Sequence, residues 1–302
     1  MIDNNRHIVI SGKEYRFCNK LNDEPELFAD FNRLAEETFG IRFDKVGGEY
    51  EPHVLASGNT VCANVSVNRI PFLVHGKRRF FIQLGTVMTK KEYRGLGLSR
   101  FLLEAVITEW RDQCDALYLF ANDSVLDFYP KFGFKIHTEF EYLYEKPGQA
   151  AFCGKKLFLA NPEDAEVILA KYREGNPFSD FTMIENQAVF DFYAGGVFRD
   201  NIFFSENDGV IIFASSEPGR VYCYDIFGKT DTPLEEILKS LRNQKTDTVT
   251  LGFTPKDKEP FVRMEHKEDD TTLFLLHSAM NDGSVEAEEI SETDMFPELS
   301  HA

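Results

Sequence analysis

The chain has 302 residues, of which 43% are apolar, and it carries a formal net charge of −17. That length suits two domains of about 150 residues, each with its own hydrophobic core. The charge argues against a nucleic-acid partner, whose phosphates would be repelled, and no stretch approaches the roughly 20 apolar residues that span a membrane.

Charge and cysteines narrow the class of protein further. Residues 1–146 have a net charge of −2 and residues 147–302 one of −15, so a polyanionic cofactor suits the first half. The acidic second half either favours cationic substrates or is a solvated surface.

The five cysteines have no zinc spacing, so no metal is expected. Met1–Arg6 lacks the apolar run of a signal peptide. A cytoplasmic location is predicted.

The first half alternates between strand and helix patterns. A period of two predicts strands, and a stripe of apolar residues at a helical period predicts helices. In chain order the predicted elements are strand Lys13–Cys18, helix Glu26–Phe39, strands His53–Ala56, Thr60–Ile70 and Arg79–Thr89, helix Gly97–Gln113, strand Ala116–Ala121, short helix Ser124–Lys131, and closing strands Phe134–Thr138 and Phe140–Tyr144.

The second half repeats this order of elements, which predicts a structural duplication. In chain order the elements are strand Lys156–Ala160, helices Glu163–Tyr172 and Glu185–Tyr193, strands Asn201–Ser205, Val210–Ser215 and Arg220–Phe227, helix Leu234–Arg242, and strands Thr246–Phe253, Phe261–His266 and Thr271–His277. The turn residues Lys146-Pro147-Gly148 predict the boundary. The predicted domains are therefore 1–147 and 148–280, followed by a loosely held acidic tail, 281–302.

A glycine-containing turn precedes the helix Gly97–Gln113. Gly95 and Gly97 let the backbone turn tightly and expose N–H groups at the helix start, where the helix dipole and the charges of Arg94 and Arg100 attract anions. The pattern predicts a pyrophosphate site made mostly of backbone. The Gly-Lys-Ser/Thr ending of a Walker loop is absent, and a dinucleotide fingerprint would need a third glycine at Arg100.

A second segment lies about 30 residues further on. Asn122 ends a predicted strand, and Phe128-Tyr129-Pro130-Lys131-Phe132-Gly133-Phe134 follows. The aromatic residues are typical of a core, but Pro130 kinks the short helix and would aim the Tyr129 hydroxyl into a cleft.

Together the two segments resemble the GNAT superfamily of N-acetyltransferases. The family signature Q/R-x-x-G-x-G/A reads here Glu92-Tyr93-Arg94-Gly95-Leu96-Gly97, which departs at the first position. Asn122 and Phe128–Phe134 match the later element of the family, an Asn at a strand end and then aromatic-Tyr-x-Lys-x-Gly-Phe. The resemblance covers roughly residues 13–146. The second half is similar only in the order of its elements, so we interpret it as a degenerate copy.

The resemblance implies an α+β fold, with a mixed, mostly antiparallel sheet flanked by helices and present twice. It implies acetyl-CoA as co-substrate, direct attack by a primary amine, and Tyr129 as the general acid that protonates the leaving thiolate. The backbone N–H near Met88 would stabilise the oxyanion. The implied cofactor-binding residues are Val87, Met88, Thr89, Arg94, Gly95, Leu96, Gly97, Leu98, Ser99, Arg100 and Asn122.

Several assignments stay open at this point. The amine acceptor is either a small molecule or a peptide. The general base is either an ordered water or one of four carboxylates, Glu36, Glu37, Glu139 and Glu141. These four residues equally suit a solvated surface. His53 is interpreted as structural. Asn64, Ser66 and Asn68 either line the acceptor pocket or follow ordinary polar-out alternation. The alternative function is a CoA-binding regulatory module without turnover. A third hypothesis gives the second half a purely structural role, as a domain for homodimerisation or substrate gating.

Overall fold

A computed structural model of the chain describes residues 2–145, 154–241, 246–277 and 294–301. These residues divide into two compact units. The first unit contains the described residues up to Ile70, Phe80–Ile136 and residues 270–277. The second contains Pro71–Arg79, His137–Asp269 and the described residues at the C-terminus.

Strands and helices alternate along the described residues. The strands are β1 His7–Ile10, β2 Lys13–Cys18, β3 Tyr50–Ser57, β4 Thr60–Val74, β5 Lys77–Thr89, β6 Ala116–Ala121, β7 Lys135–Ile136, β8 Phe140–Tyr144, β9 Lys155–Leu157, β10 Phe181–Met183, β11 Ile202–Ser205, β12 Val210–Glu217, β13 Gly219–Gly228, β14 Thr246–Leu251, β15 Val262–Glu265 and β16 Thr272–His277. The helices are α1 Pro25–Phe39, α2 Leu98–Trp110, α3 Pro162–Glu174, α4 Gln187–Phe192 and α5 Leu234–Leu241.

The sheet of the first unit has the strand order β1-β2-β3-β4-β5-β6-β16-β7. Its strands are mostly antiparallel, but β5 and β6 run parallel. Successive side chains of a strand point to opposite faces, and α1 covers one face while α2 covers the other. Each helix buries a stripe of apolar residues, such as Leu27 and Phe31 of α1 and Leu102 and Val106 of α2. This packing holds α2, and the turn before it, against the sheet.

The sheet of the second unit has the order β15-β8-β14-β13-β12-β11-β9. Helix α5 buries Ile237, Leu238 and Leu241 against it. Asn161 caps α3, because its side chain accepts hydrogen bonds from the backbone N–H groups of Glu163 and Asp164. Two mostly antiparallel sheets with flanking helices confirm the predicted α+β class.

Two predicted strands pair in the other sheet. We predicted that Phe140–Tyr144 closes the first sheet and that Thr271–His277 belongs to the second. Instead β8 pairs with β14 and β15, and β16 pairs with β6 and β7. Those two placements were wrong because an apolar alternation specifies a strand but not its partner. The predicted boundary residues, Lys146-Pro147-Gly148, lie outside the described residues.

The expectation of a loosely held tail over 281–302 is wrong for the part that the structure describes. Residues 281–293 lie outside that part, but Met295, Phe296 and Leu299 are buried in the second unit. The Phe296 ring contacts those of Phe181 and Phe72, with centroids 4.9 and 5.8 Å apart. Three large apolar residues after an acidic run are enough to anchor the segment.

Candidate active site

The predicted glycine turn lies between β5 and α2. Gly95 and Gly97 have φ angles of 76° and 83°, in the left-handed region that favours glycine, and Gly97 is the N-cap of α2. No side chain caps the helix. Among the residues that the structure describes, none accepts a hydrogen bond from the backbone N–H groups of residues 95–100. Six donors at a helix start are therefore available to an anion.

Two arginines remain at the surface of this turn. Arg94 is exposed and donates through Nε to the carbonyl of Thr89 (3.1 Å). Arg100 is also exposed and lies over the Phe132 ring, 5.8 Å from its centroid. A hydrogen bond from the Ser11 hydroxyl to the Leu96 carbonyl (3.0 Å) stabilises the turn. Both full charges thus stand where the helix dipole is positive.

Strands β5 and β6 separate as they approach the turn. Their backbones pair from Phe81–Ala116 to Gln83–Tyr118, although β5 continues to Thr89. Val87 and Thr89 are partly exposed beyond this point, and Met88 is 3% exposed and packs on the α1 side. The opening leaves the backbone at the end of β5 unpaired with β6 beside the glycine turn, and the family resemblance implies that Val87, Met88 and Thr89 bind the cofactor there.

Tyr129 has a buried ring in the first unit. The side chain is 4% exposed, and its ring contacts those of Phe128, Phe134 and Phe274 at 5.4, 6.2 and 5.6 Å between centroids. Among the described residues none makes a hydrogen bond with its hydroxyl. Burial raises the pKa of Tyr129 to about 12, so the phenol keeps its proton throughout the physiological range. It can donate that proton to a group that binds beside it.

Asn122 is held by a residue that sequence reasoning missed. Its Nδ2 donates to Oδ2 of Asp270 (3.0 Å), and Oδ1 of Asp270 accepts from the backbone N–H of Asp123 (2.7 Å). Asp270 is 148 positions away in sequence and reaches this strand end because β16 lies next to β6. Only the side-chain oxygen of Asn122 stays available to a ligand.

The four candidate bases are distributed over both units. Glu36 pairs with Arg42 (2.8 Å), and Glu37 is exposed. Glu139 and Glu141 belong to the second unit. Burial raises the pKa of Glu139, whose Oε1 accepts the backbone N–H of Phe296 (2.9 Å), and Glu141 lies 3.5 Å from His266.

The polar residues of β3 and β4 are buried. His53 is 4% exposed, contacts Phe17 edge-on and lies 3.2 Å from Glu51, in agreement with a structural role. Asn64, Ser66 and Asn68 are all fully buried, so the interpretation as polar-out alternation is wrong. Asn64 and Ser66 bond to Thr86 of β5, whereas Asn68 bonds to Gln83.

The described part of the chain contains no cluster of three or more potential metal ligands. Within that same part, every helix is too short or too polar to cross a membrane.

Known proteins resemble this chain in sequence over one segment and in fold. Residues 24–137 match the Acetyltransferase (GNAT) domain family. No curated protein sequence matches the chain. Solved structures with a similar fold include a probable N-acyltransferase from Enterococcus faecalis, with 15% identity, a TM-score of 0.52 and coverage of 87% of this chain and 71% of that one. A GCN5-related N-acetyltransferase from Kribbella flavida has 13% identity, a TM-score of 0.54 and coverage of 87% and 72%. Another from Anabaena variabilis has 13% identity, a TM-score of 0.53 and coverage of 86% and 72%.

Proposed function

We propose, from the premise that residues 24–137 form a GNAT acetyltransferase domain, that this chain transfers an acetyl group from acetyl-CoA to a primary amine. The observation that carries the proposal is the run of backbone N–H groups over residues 95–100 that no described residue bonds. Main-chain donors at the start of a 13-residue helix, with Arg94 and Arg100 beside them, suit the pyrophosphate of coenzyme A. The bound cofactor would then extend along Val87–Thr89.

The proposed reaction is a direct attack on the thioester. The amine nitrogen forms a bond to the carbonyl carbon, and the negative charge that develops on the oxygen is stabilised by the backbone N–H near Met88. The C–S bond then breaks, and the thiolate takes the proton of the Tyr129 hydroxyl. The proton that the amine loses goes to an ordered water or a carboxylate, and Asn122 orients the cofactor arm.

The second half would support this site without binding a cofactor. Its sequence has Lys229-Thr230-Asp231-Thr232-Pro233 at the position of the glycine turn, and it holds most of the negative charge. An acidic surface mildly favours a cationic amine, either a small metabolite or a peptide amine. Its other proposed role is a homodimer interface or substrate gate.

A thiol-release assay with a panel of amines tests the proposal. In Gly97→Trp, the indole side chain would stand at a positive φ in the middle of the proposed pyrophosphate site, so we expect at least about a hundredfold loss of turnover. Gly58→Trp is the matched control. Gly58 has a similar φ of 58° in the β3–β4 turn, and a Cβ added there would meet no described atom within 4 Å, so it carries the same strain away from the site.

Three outcomes contradict the proposal. Undiminished thiol release by Gly97→Trp would mean that the site lies elsewhere. Thermal stabilisation by acetyl-CoA without thiol release for any amine would favour the regulatory module, and calorimetry that detects no coenzyme A binding would exclude both functions.

A further inference from the structure

Thr86 has a backbone conformation that a β-branched residue rarely adopts. Its φ angle is 39°, within strand β5, and such conformations persist only when the surroundings hold them. We propose that Tyr50, Asn64 and Ser66 form a clamp that holds Thr86 in this conformation and thereby aims the backbone of Val87–Thr89 at the acyl group. The inference rests on the proposed function, and it assigns the three residues a positioning role.

All three side chains bond to Thr86. The Tyr50 hydroxyl lies 2.8 Å from Oγ1 of Thr86, and the Ser66 hydroxyl lies 2.6 Å from the same atom. Nδ2 of Asn64 donates to the Thr86 carbonyl (2.8 Å) and to Oγ1 (3.0 Å). The carbonyl oxygen of Thr86 can only accept a hydrogen bond, so the side-chain nitrogen of Asn64, and not its oxygen, must face it. The clamp therefore holds both the main chain and the side chain of Thr86.

The clamp residues are buried and belong to strands of the sheet, which restricts their movement. Asn64 and Ser66 are fully buried, and Tyr50 is 9% exposed. Burial raises the pKa of Tyr50 to about 12, so its hydroxyl remains neutral. The residues lie on β3 and β4, with Tyr50 opposite Asn68 in the register, so two strands support the contacts.

The side chains of β5 change face at Thr86. Ile82 and Leu84 pack in the cluster that contains α2, and a strand of period two would place Met88 there as well. Met88 packs instead in the α1 cluster, and Val87 packs against the α2 cluster. The alternation therefore shifts by one residue between Leu84 and Val87, which is what a β-bulge produces.

This shift decides which backbone N–H groups face the opening beside β6. N–H groups of successive strand residues point to opposite edges, so removal of the bulge would exchange the directions of Val87 and Met88. The clamp thus selects the direction of the N–H that the proposed mechanism uses for the oxyanion.

Kinetics of four variants test the clamp. Asn64→Ala and Thr86→Val each remove clamp bonds, and we expect kcat to fall on the order of ten- to a hundredfold while KM for acetyl-CoA changes by less than about threefold. Thr86→Ser retains the hydroxyl and should recover most of the loss seen in Thr86→Val. Asn68→Ala removes a fully buried amide from the same strand and face without touching Thr86, so it measures the general cost of such a truncation.

A rescue experiment separates positioning from simple folding. Glycine adopts positive φ without strain, so the effect of Asn64→Ala on kcat should shrink to about twofold or less in a Thr86→Gly background. An equal loss in both backgrounds, or a kcat in Asn64→Ala no lower than in Asn68→Ala, overturns the clamp.

A crystal structure of Asn64→Ala tests the inference independently of turnover. We expect a negative φ at Thr86 and the Met88 side chain on the α2 face. An unchanged positive φ overturns the clamp, whereas absence of thiol release by the wild-type protein with any amine would contradict only the proposed function.

Discussion

At the scale of single residues, Tyr129 combines a buried ring with a hydroxyl that none of the described residues bonds. In Tyr129→Phe the ring packing stays and only the proton donor is lost. We expect turnover to fall by about 10²–10⁴-fold and the affinity for acetyl-CoA to stay within about threefold. Tyr15→Phe is the matched control, since the Tyr15 hydroxyl is buried in the same unit with no bonding partner in the described part of the chain. Steady-state kinetics of both variants measure the difference, and unchanged turnover in Tyr129→Phe would remove Tyr129 from the mechanism.

Asp225 is a residue whose charge should make stability depend on pH. It is buried, and desolvation raises its pKa from 3.8 to about 7, despite hydrogen bonds from Asn176 (2.6 Å) and from the backbone of Ile226. The folded state therefore binds the proton more tightly than the unfolded state. This contribution to stability is complete below about pH 4 and is lost as the pH rises through 7.

The Asp225→Asn variant tests this assignment. Asparagine resembles the protonated acid and keeps the oxygen that accepts both hydrogen bonds, so its contribution does not titrate. We expect the variant to be more stable than the wild type by about 1–4 kcal/mol at pH 8, and by only about 1 kcal/mol or less at pH 4.5. Urea denaturation at the two pH values measures the free energy of unfolding. A difference that does not change with pH would show that Asp225 is not the titrating group.

At the scale of elements, β16 completes the first sheet although it follows the strands of the second sheet in sequence. It pairs with β6 over six residues, its Phe274 contacts Tyr129, and Asp270 just before it holds Asn122. A chain truncated after Pro147 lacks these contacts and exposes the edge of β6. We therefore expect the truncated chain to lose cooperative unfolding and to aggregate.

A second chain shows whether β16 is the cause. Residues 1–136, joined by a short glycine-serine linker to residues 270–277, restore the strand that pairs with both β6 and β7. This chain should elute as a compact species and unfold cooperatively. Size-exclusion chromatography and thermal denaturation compare the two chains, and a stable truncated chain would show that β16 is dispensable.

At the scale of the whole molecule, local patterns predicted most elements but not their partners. Strand Ala116–Ala121 and the end of α1 at Phe39 were predicted correctly, because a short continuous apolar run and a glycine C-cap are local features. The placements of β8 and β16 were wrong, and β1 and β10 were not predicted. The burial of Phe296 was missed because an acidic run precedes it.

The sequence by itself determined the glycine turn, the helix that follows it and the order of the two motifs, because each depends on residues close together in the chain. Only the tertiary structure decided that Asp270 holds Asn122, that β16 lies against β6, and that Asn64 and Ser66 bond to Thr86. These contacts join residues that are between 20 and 161 positions apart, from Ser66–Thr86 to Ala116–His277. Their partners are selected by the packing of whole strands, and no local periodicity encodes that choice.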